Sequence, residues 1–141
     1  MKIAIGADHG GFELKQDVIA LLQELGHQVD DRGCYSRDSV DYPDFAKAVC
    51  DRVCNGENDR GILICGTGIG MSMAANRYRD IRAALCHEIF TARMSREHNN
   101  ANVLCLGARV VGPGLVMEIV RTWVESEFAA GRHLKRIEMF S

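Results

Sequence analysis

Residues 61–77, Gly61-Ile62-Leu63-Ile64-Cys65-Gly66-Thr67-Gly68-Ile69-Gly70-Met71-Ser72-Met73-Ala74-Ala75-Asn76-Arg77, decide how the rest of the chain is read. Ile62 to Cys65 has the apolar character of a buried strand, glycines follow at the alternate positions 66, 68 and 70, and Met71 to Ala75 reads as helix. The stretch predicts a strand, a tight loop and a helix N-terminus. Glycines in such a loop let the backbone turn sharply and aim its N–H groups inward, where the positive end of the helix dipole adds to their pull on a negative oxygen. Cys65 and Thr67 fall in that loop. The plain alternative is a strand-to-helix turn with one more buried cysteine.

Better-known meanings of a glycine loop fail on counting. A P-loop needs a Lys after its last glycine, and none follows Gly70. A dinucleotide fingerprint needs a third glycine where Met71 stands, and it follows the first strand rather than the third. A thiolate phosphatase loop needs Arg at that same position. What remains is a thiol beside an oxyanion cradle, which suits proton abstraction next to a carbonyl. A helix N-terminus is also where a thiolate is favoured over a thiol.

The 141 residues form one domain, 1–141, by the usual length prior, with enough chain for a real core. With 47% hydrophobic and 26% charged residues and a net charge of -2, the composition is that of a soluble protein without the electrostatic footprint of a nucleic-acid binder. Met1-Lys2-Ile3-Ala4-Ile5-Gly6 enters a strand at once, with no signal-peptide pattern, and no apolar run approaches a membrane span. A cytoplasmic protein without nucleic-acid or membrane partners is expected. The six cysteines, Cys34, Cys50, Cys54, Cys65, Cys86 and Cys105, include no CxxC pair. They are expected to be reduced; Cys86 and Cys105 read as small buried apolar residues, and Cys50 and Cys54, four apart on a helix, as sharing its packed face. No Cys/His pair has zinc-type spacing, so no metal or other cofactor is expected.

Strand and helix alternate along the chain. Ile3-Ala4-Ile5 leads into Gly6-Ala7-Asp8-His9-Gly10-Gly11 and a helix from Phe12 to Leu25, with Leu14, Val18, Leu21, Leu22 and Leu25 on one face and Gly26 as its stop. Residues 28–31 read as a second strand, 43–55 as a second helix opened by Pro43, and 81–85 as a fourth strand. Residues 88–96 read as helix, His98-Asn99-Asn100 as a turn, 102–106 as the fifth strand and 115–130 as the last long helix. The fold class is α/β: a three-layer αβα sandwich on a five-stranded parallel, Rossmann-like sheet, with a C-terminal helical extension. The site is expected at the C-terminal ends of the strands, with Asp8-His9, Cys65 to Gly70 and His98-Asn99 all placed around that edge.

Taken singly, these residues have ordinary explanations. Asp8 could cap a helix, His98 could be a surface histidine like His27, His87 and His133, and Arg132 and Arg136 could form a solvated basic face. Two guanidiniums four residues apart could equally clamp a phosphate, and Arg109 is similarly open. Met71, Met73, Met94 and Met117 read as core filler.

Their joint appearance changes the weighing. Gly6 to Gly11, Asp41-Tyr42-Pro43, Ile64 to Gly70, Ser95-Arg96-Glu97-His98-Asn99, Asn102-Val103-Leu104, Gly107 to Gly112 and Gly131-Arg132-His133 together closely resemble the RpiB/LacAB family of sugar-phosphate isomerases. The likeness runs over essentially the whole chain, and Cys65 matches the branch of the family that uses a cysteine base. It implies a metal-free aldose-ketose isomerisation, D-ribose 5-phosphate to D-ribulose 5-phosphate, a step of the non-oxidative pentose phosphate pathway. Carried over by position, Cys65 would take the proton from C2 and His98 would help open the furanose ring. Asp8 would bind sugar hydroxyls, while Thr67 and the amides of Gly66, Thr67, Gly68, Ile69 and Gly70 would hold the enediolate oxygen. His9, Arg132 and Arg136 would grip the phosphate, with Asn99, Arg109 and Tyr42 completing the site. The resemblance also implies a homodimer or dimer of dimers with sites built from two subunits. Two rival readings stand beside this one: a hexose 6-phosphate such as allose or galactose 6-phosphate as substrate, and a non-catalytic phosphate- or nucleotide-binding module.

Overall fold

The computed structural model describes residues 1–141 and contains one five-stranded sheet, ordered β2-β1-β3-β5-β4. Its strands are β1 (Lys2–Ala7), β2 (Gln28–Asp31), β3 (Arg60–Cys65), β4 (Ala83–Leu85) and β5 (Val103–Gly107), and every pairing is parallel. Helices α1 (Phe12–Glu24), α2 (Tyr42–Cys54), α3 (Ile69–Ala75) and α4 (Ile89–Glu97) lie in the crossovers, while α5 (Pro113–Glu125) and α6 (Arg132–Glu138) end the chain.

Side chains of the three central strands alternate between two cores, as the twofold period of a strand requires. Ile3, Ile5, Ile62, Ile64, Leu104 and Leu106 pack with Val18 and Leu22 of α1 and Val116, Ile119 and Trp123 of α5. The residues between them, among them Ala4, Leu63, Cys65, Val103 and Cys105, pack with Val49 and Cys50 of α2 and Met71 and Ala75 of α3. This is the αβα sandwich expected from the alternation. One buried cation is built into it: Lys15 is fully buried, with Nζ 2.6 Å from Asp31 Oδ1 and lying over the rings of Phe12 and Tyr35. Asp31 Oδ1 also accepts the Gly33 N–H at 3.0 Å, so the pair fixes the start of the loop that follows β2.

Three boundaries differ from the sequence expectation, each for a visible reason. Strand β4 begins at Ala83 rather than Ile81, because the Arg82 N–H donates to Asn102 Oδ1 and the Ile81 N–H to the Tyr78 carbonyl instead of joining a ladder. Helix α5 stops at Glu125 rather than near Ala130. Arg60 Nη1 donates to the carbonyls of Trp123 and Val124 at 3.1 and 3.2 Å, Arg96 Nε donates to that of Ser126, and Ser126 itself is extended. Helix α3 starts at Ile69 and takes Gly70 into its first turn. Met73 is 68% exposed and Cys54 is exposed, so neither belongs to the core that the sequence suggested for them.

The larger correction concerns the two edges of the sheet. Ala7, Cys65 and Gly107 end their strands at one edge, and each helix carries the chain back to the other. His98 caps the end of α4 and therefore belongs to the opposite edge from Cys65. The turn after it leads into β5 where the Asn102 carbonyl accepts the Gly61 N–H. Placing His98-Asn99 with Cys65 ignored the direction in which α4 runs. No helix is long and apolar enough to cross a membrane.

Glycines test this packing with opposite signs. A Cβ at Gly11 would lie 2.7 Å from the Ile64 carbonyl oxygen, where α1 meets β3, whereas nothing lies near a Cβ at Gly114 in the first turn of α5. Gly11→Ala should cost about 1–3 kcal/mol of stability and Gly114→Ala should add up to about 1 kcal/mol, read by urea unfolding at fixed protein concentration. Equal effects at the two positions would contradict the contact.

Candidate active site

The C-terminal ends of β1, β3 and β5 bring ten of the sequence-selected residues together. The Asp8 N–H donates to the Ile64 carbonyl at 3.1 Å, and the N–H groups of Ala108 and Arg109 donate to the carbonyls of Cys65 and Gly66, both at 2.9 Å. These bonds tie the three loops into one surface. Asp8 is buried, and its Oδ1 accepts the Gly10 N–H at 2.9 Å, which leaves Oδ2 for another donor. The Val40 N–H donates to His9 Nδ1 at 3.2 Å, so a neutral His9 carries its proton on Nε2. The Arg109 side chain lies over Gly66, and the Tyr42 ring lies against Gly70.

Cys65 is the last residue of β3 and is 5% exposed. Its Sγ accepts the Gly68 N–H at 3.1 Å. That donor is available because Gly68 has φ +77°, and a Cβ there would meet Leu85 and the backbone of Leu106. The Ile69 N–H donates to Thr67 Oγ1 at 3.2 Å, leaving the Thr67 O–H free to donate elsewhere. Two of the five loop amides are thus engaged, while those of Gly66, Thr67 and Gly70 have no acceptor within the chain. Three unengaged amides, two fewer than the sequence suggested, remain in the loop beside the Cys65 sulfur. Burial pushes the Cys50 thiol up to about 12 and raises Cys86 and Cys105 as well, which keeps those three protonated.

The remaining four residues, His98, Asn99, Arg132 and Arg136, form a second group at the opposite edge. Val103 pairs with Gly61 and Gly107 with Cys65, which puts the turn before β5 about 13 Å from Cys65 along the sheet at the usual strand rise. Arg96 fastens this group: its guanidinium is buried, donates to Asn100 Oδ1 at 2.9 Å and the Ala101 carbonyl at 2.6 Å, and lies over Trp123. The Ala129 N–H donates to the Glu97 carbonyl at 3.0 Å and brings α6 alongside. There the ring of His133 stacks on that of His98, with centroids 4.2 Å apart. Sequence reasoning left His133 on the surface, since nothing in its spacing links it to His98. His87, also left there, is half-buried.

No cavity of the chain is lined by Cys65, Thr67 or Asp8. The largest, about 580 Å³, opens beside β4 and contains only Asn99 of the candidate residues. No three His, Cys, Asp or Glu side chains converge on a metal-sized site.

A family model described as ribose/galactose isomerase matches residues 3–140. Ribose-5-phosphate isomerase B of Escherichia coli is 49% identical over 97% of this chain and 92% of the relative. D-erythrulose-4-phosphate isomerase of Pectobacterium atrosepticum is 43% identical over 98% and 91%. Among solved structures, ribose-5-phosphate isomerase B of Clostridium thermocellum superposes with a TM-score of 0.97 at 53% identity, covering 99% of this chain and 94% of that one. With the match reaching all five strands and both groups of candidate residues, the chain belongs to the ribose/galactose isomerase family.

Proposed function

We propose that this isomerase interconverts D-ribose 5-phosphate and D-ribulose 5-phosphate through a cis-enediolate, with Cys65 as the base. The observation that carries this reading is the cradle: the Gly68 N–H on Cys65 Sγ, beside three amides without an acceptor in the chain. The Gly68 N–H favours negative charge on the sulfur, which takes the proton from C2 of the open-chain aldose. The C2–H electron pair becomes the C1–C2 double bond and the carbonyl pair moves onto O1, where the free amides and the Thr67 hydroxyl receive the charge. Preorganised donors of this kind contribute on the order of 3 kcal/mol each to a developing oxyanion. Transfer of the O2 proton to O1, with the Cys65 S–H returning its proton to C1 as the C1–C2 double-bond pair takes it up and C2=O2 forms, gives the ketose. Asp8 Oδ2 accepts a sugar hydroxyl, and the free Nε2–H of His9 donates to the phosphate end.

We propose further that the working unit is a homodimer with shared sites. Arg132, Arg136, His98 and Asn99 have the chemistry to clamp a phosphate and protonate a ring oxygen, yet they occupy the edge of the sheet away from Cys65 in their own chain. A second copy supplies them at the right edge. Both segments carry uncovered apolar side chains in support: Ile69 and Met73 of α3 are 46% and 68% exposed, and Leu134 of α6 is 45% exposed. A coupled assay against pentose and hexose phosphates tests the substrate, and a hexose 6-phosphate turned over in preference to ribose 5-phosphate would overturn the pentose assignment.

Base and acid separate by substrate. A base at C2 is needed whatever form the sugar takes, whereas an acid at the ring oxygen is needed only when the sugar arrives as a furanose. A four-carbon aldose phosphorylated on its terminal oxygen cannot close that ring. Cys65→Ala should abolish turnover of both substrates. His98→Asn should lower the rate on ribose 5-phosphate by about 10²–10⁴-fold, the usual general-acid contribution, and affect the open-chain analogue far less. Equal losses on both would remove ring opening from His98.

Shared sites make inactive variants complementary. Cys65→Ala and His98→Asn subunits, mixed and allowed to exchange, should regain part of the activity through hybrid sites holding one intact base and one intact acid. No recovery after exchange verified by mass spectrometry would contradict the arrangement.

A further inference from the structure

The imidazoles of His98 and His133 lie face to face, their planes 12° from parallel and their centroids 4.2 Å apart. Their elements are held to each other independently of the rings, by the Ala129 N–H on the Glu97 carbonyl and by Arg96 Nε on the Ser126 carbonyl. Neither ring makes a hydrogen bond within the chain or an ion pair with a carboxylate, whereas His9 and His27 each have a bonded ring nitrogen. In the absence of any such bond, the stack sets the two ring planes against each other. The titratable and charged groups that act on His133 are His98 at the end of α4 and Arg132 and Arg136 of α6 itself. Desolvation, followed by repulsion from a charged His98 ring and from the two guanidiniums, holds the His133 imidazole below the usual histidine range.

We infer that His133 is a positioning residue, whose ring holds the plane of His98 by stacking and disfavours a second proton on the pair. Two imidazoliums at this separation repel, so protonating one ring disfavours the second proton. A neutral His133 backs the face of the His98 ring and leaves the His98 nitrogens free to meet a sugar. The inference rests on the ring-opening role proposed for His98, and it assigns a task to a side chain that touches neither the base nor the cradle.

The test compares His133→Ala, which removes the ring, with His133→Phe, which keeps a flat ring to stack and cannot be charged. On ribose 5-phosphate, His133→Ala should lower kcat about tenfold, a part of the 10²–10⁴-fold general-acid effect, with the open-chain four-carbon substrate far less affected and His133→Phe recovering most of the loss. Histidine-ring NMR titration of the free protein provides a readout that does not depend on activity. In His98→Asn the His133 ring should titrate at higher pH than in the wild type, because one neighbouring positive charge has gone. Loss in His133→Phe equal to that in His133→Ala, no loss in either, or an unmoved His133 titration in His98→Asn would each overturn the inference. Failure of the ring-opening role shows separately, as equal losses for His98→Asn on both substrates.

Discussion

In a parallel sheet every strand points the same way, so its two edges are chemically different and a helix following a strand returns the chain from one to the other. That constraint governs this protein. Cys65, Asp8 and Arg109 sit where β1, β3 and β5 end, while His98 and the arginines of α6 sit where β5 begins. No side chain spans the interval, and the register of β3 against β5 leaves no slack to shorten it. One chain therefore presents two incomplete groups, one able to take a proton beside an oxyanion cradle and one able to hold an anion and give a proton. In the proposed homodimer, a second copy supplies what each group lacks.

Each half is held by a different physical device. The cradle depends on close backbone approach: loop 66–68 lies on the end of β5, with Gly68 in the left-handed region so that its N–H reaches Cys65 Sγ. The other half depends on two buried guanidiniums, Arg60 and Arg96, over the Trp123 ring. Their donors take carbonyls at the end of α5 and in the turn before β5, ending α5 where the sequence alone would have continued it. Buried charges kept this way are costly to leave unpartnered, so the segments that offer the carbonyls are held tightly in place.

Much of this was legible in the sequence because the signals are local. Alternating strand and helix patterns gave the sandwich and its parallel sheet, and Gly66, Gly68 and Gly70 after an apolar run marked the cradle. The rest depends on contacts between distant positions. Nothing near His133 indicates that its ring meets His98, and nothing near Ser126 indicates that Arg60 and Arg96 will take the carbonyls that end α5. Met73 reads as core by type but stands exposed on α3, where a second copy could cover it. The placement of His98 beside Cys65 failed for a geometric reason, since motif order along a chain does not record which edge of a sheet each loop reaches.

The central claim is that a working centre takes its base from one chain and its phosphate grip from another. A crystal structure of the Cys65→Ala protein with bound ribose 5-phosphate tests it most directly. C2 of the sugar is expected beside residue 65 and the amides of Gly66 and Thr67 in one chain, with the phosphate on Arg132 and Arg136 of the partner subunit. A sugar phosphate whose contacts all come from a single chain would contradict it.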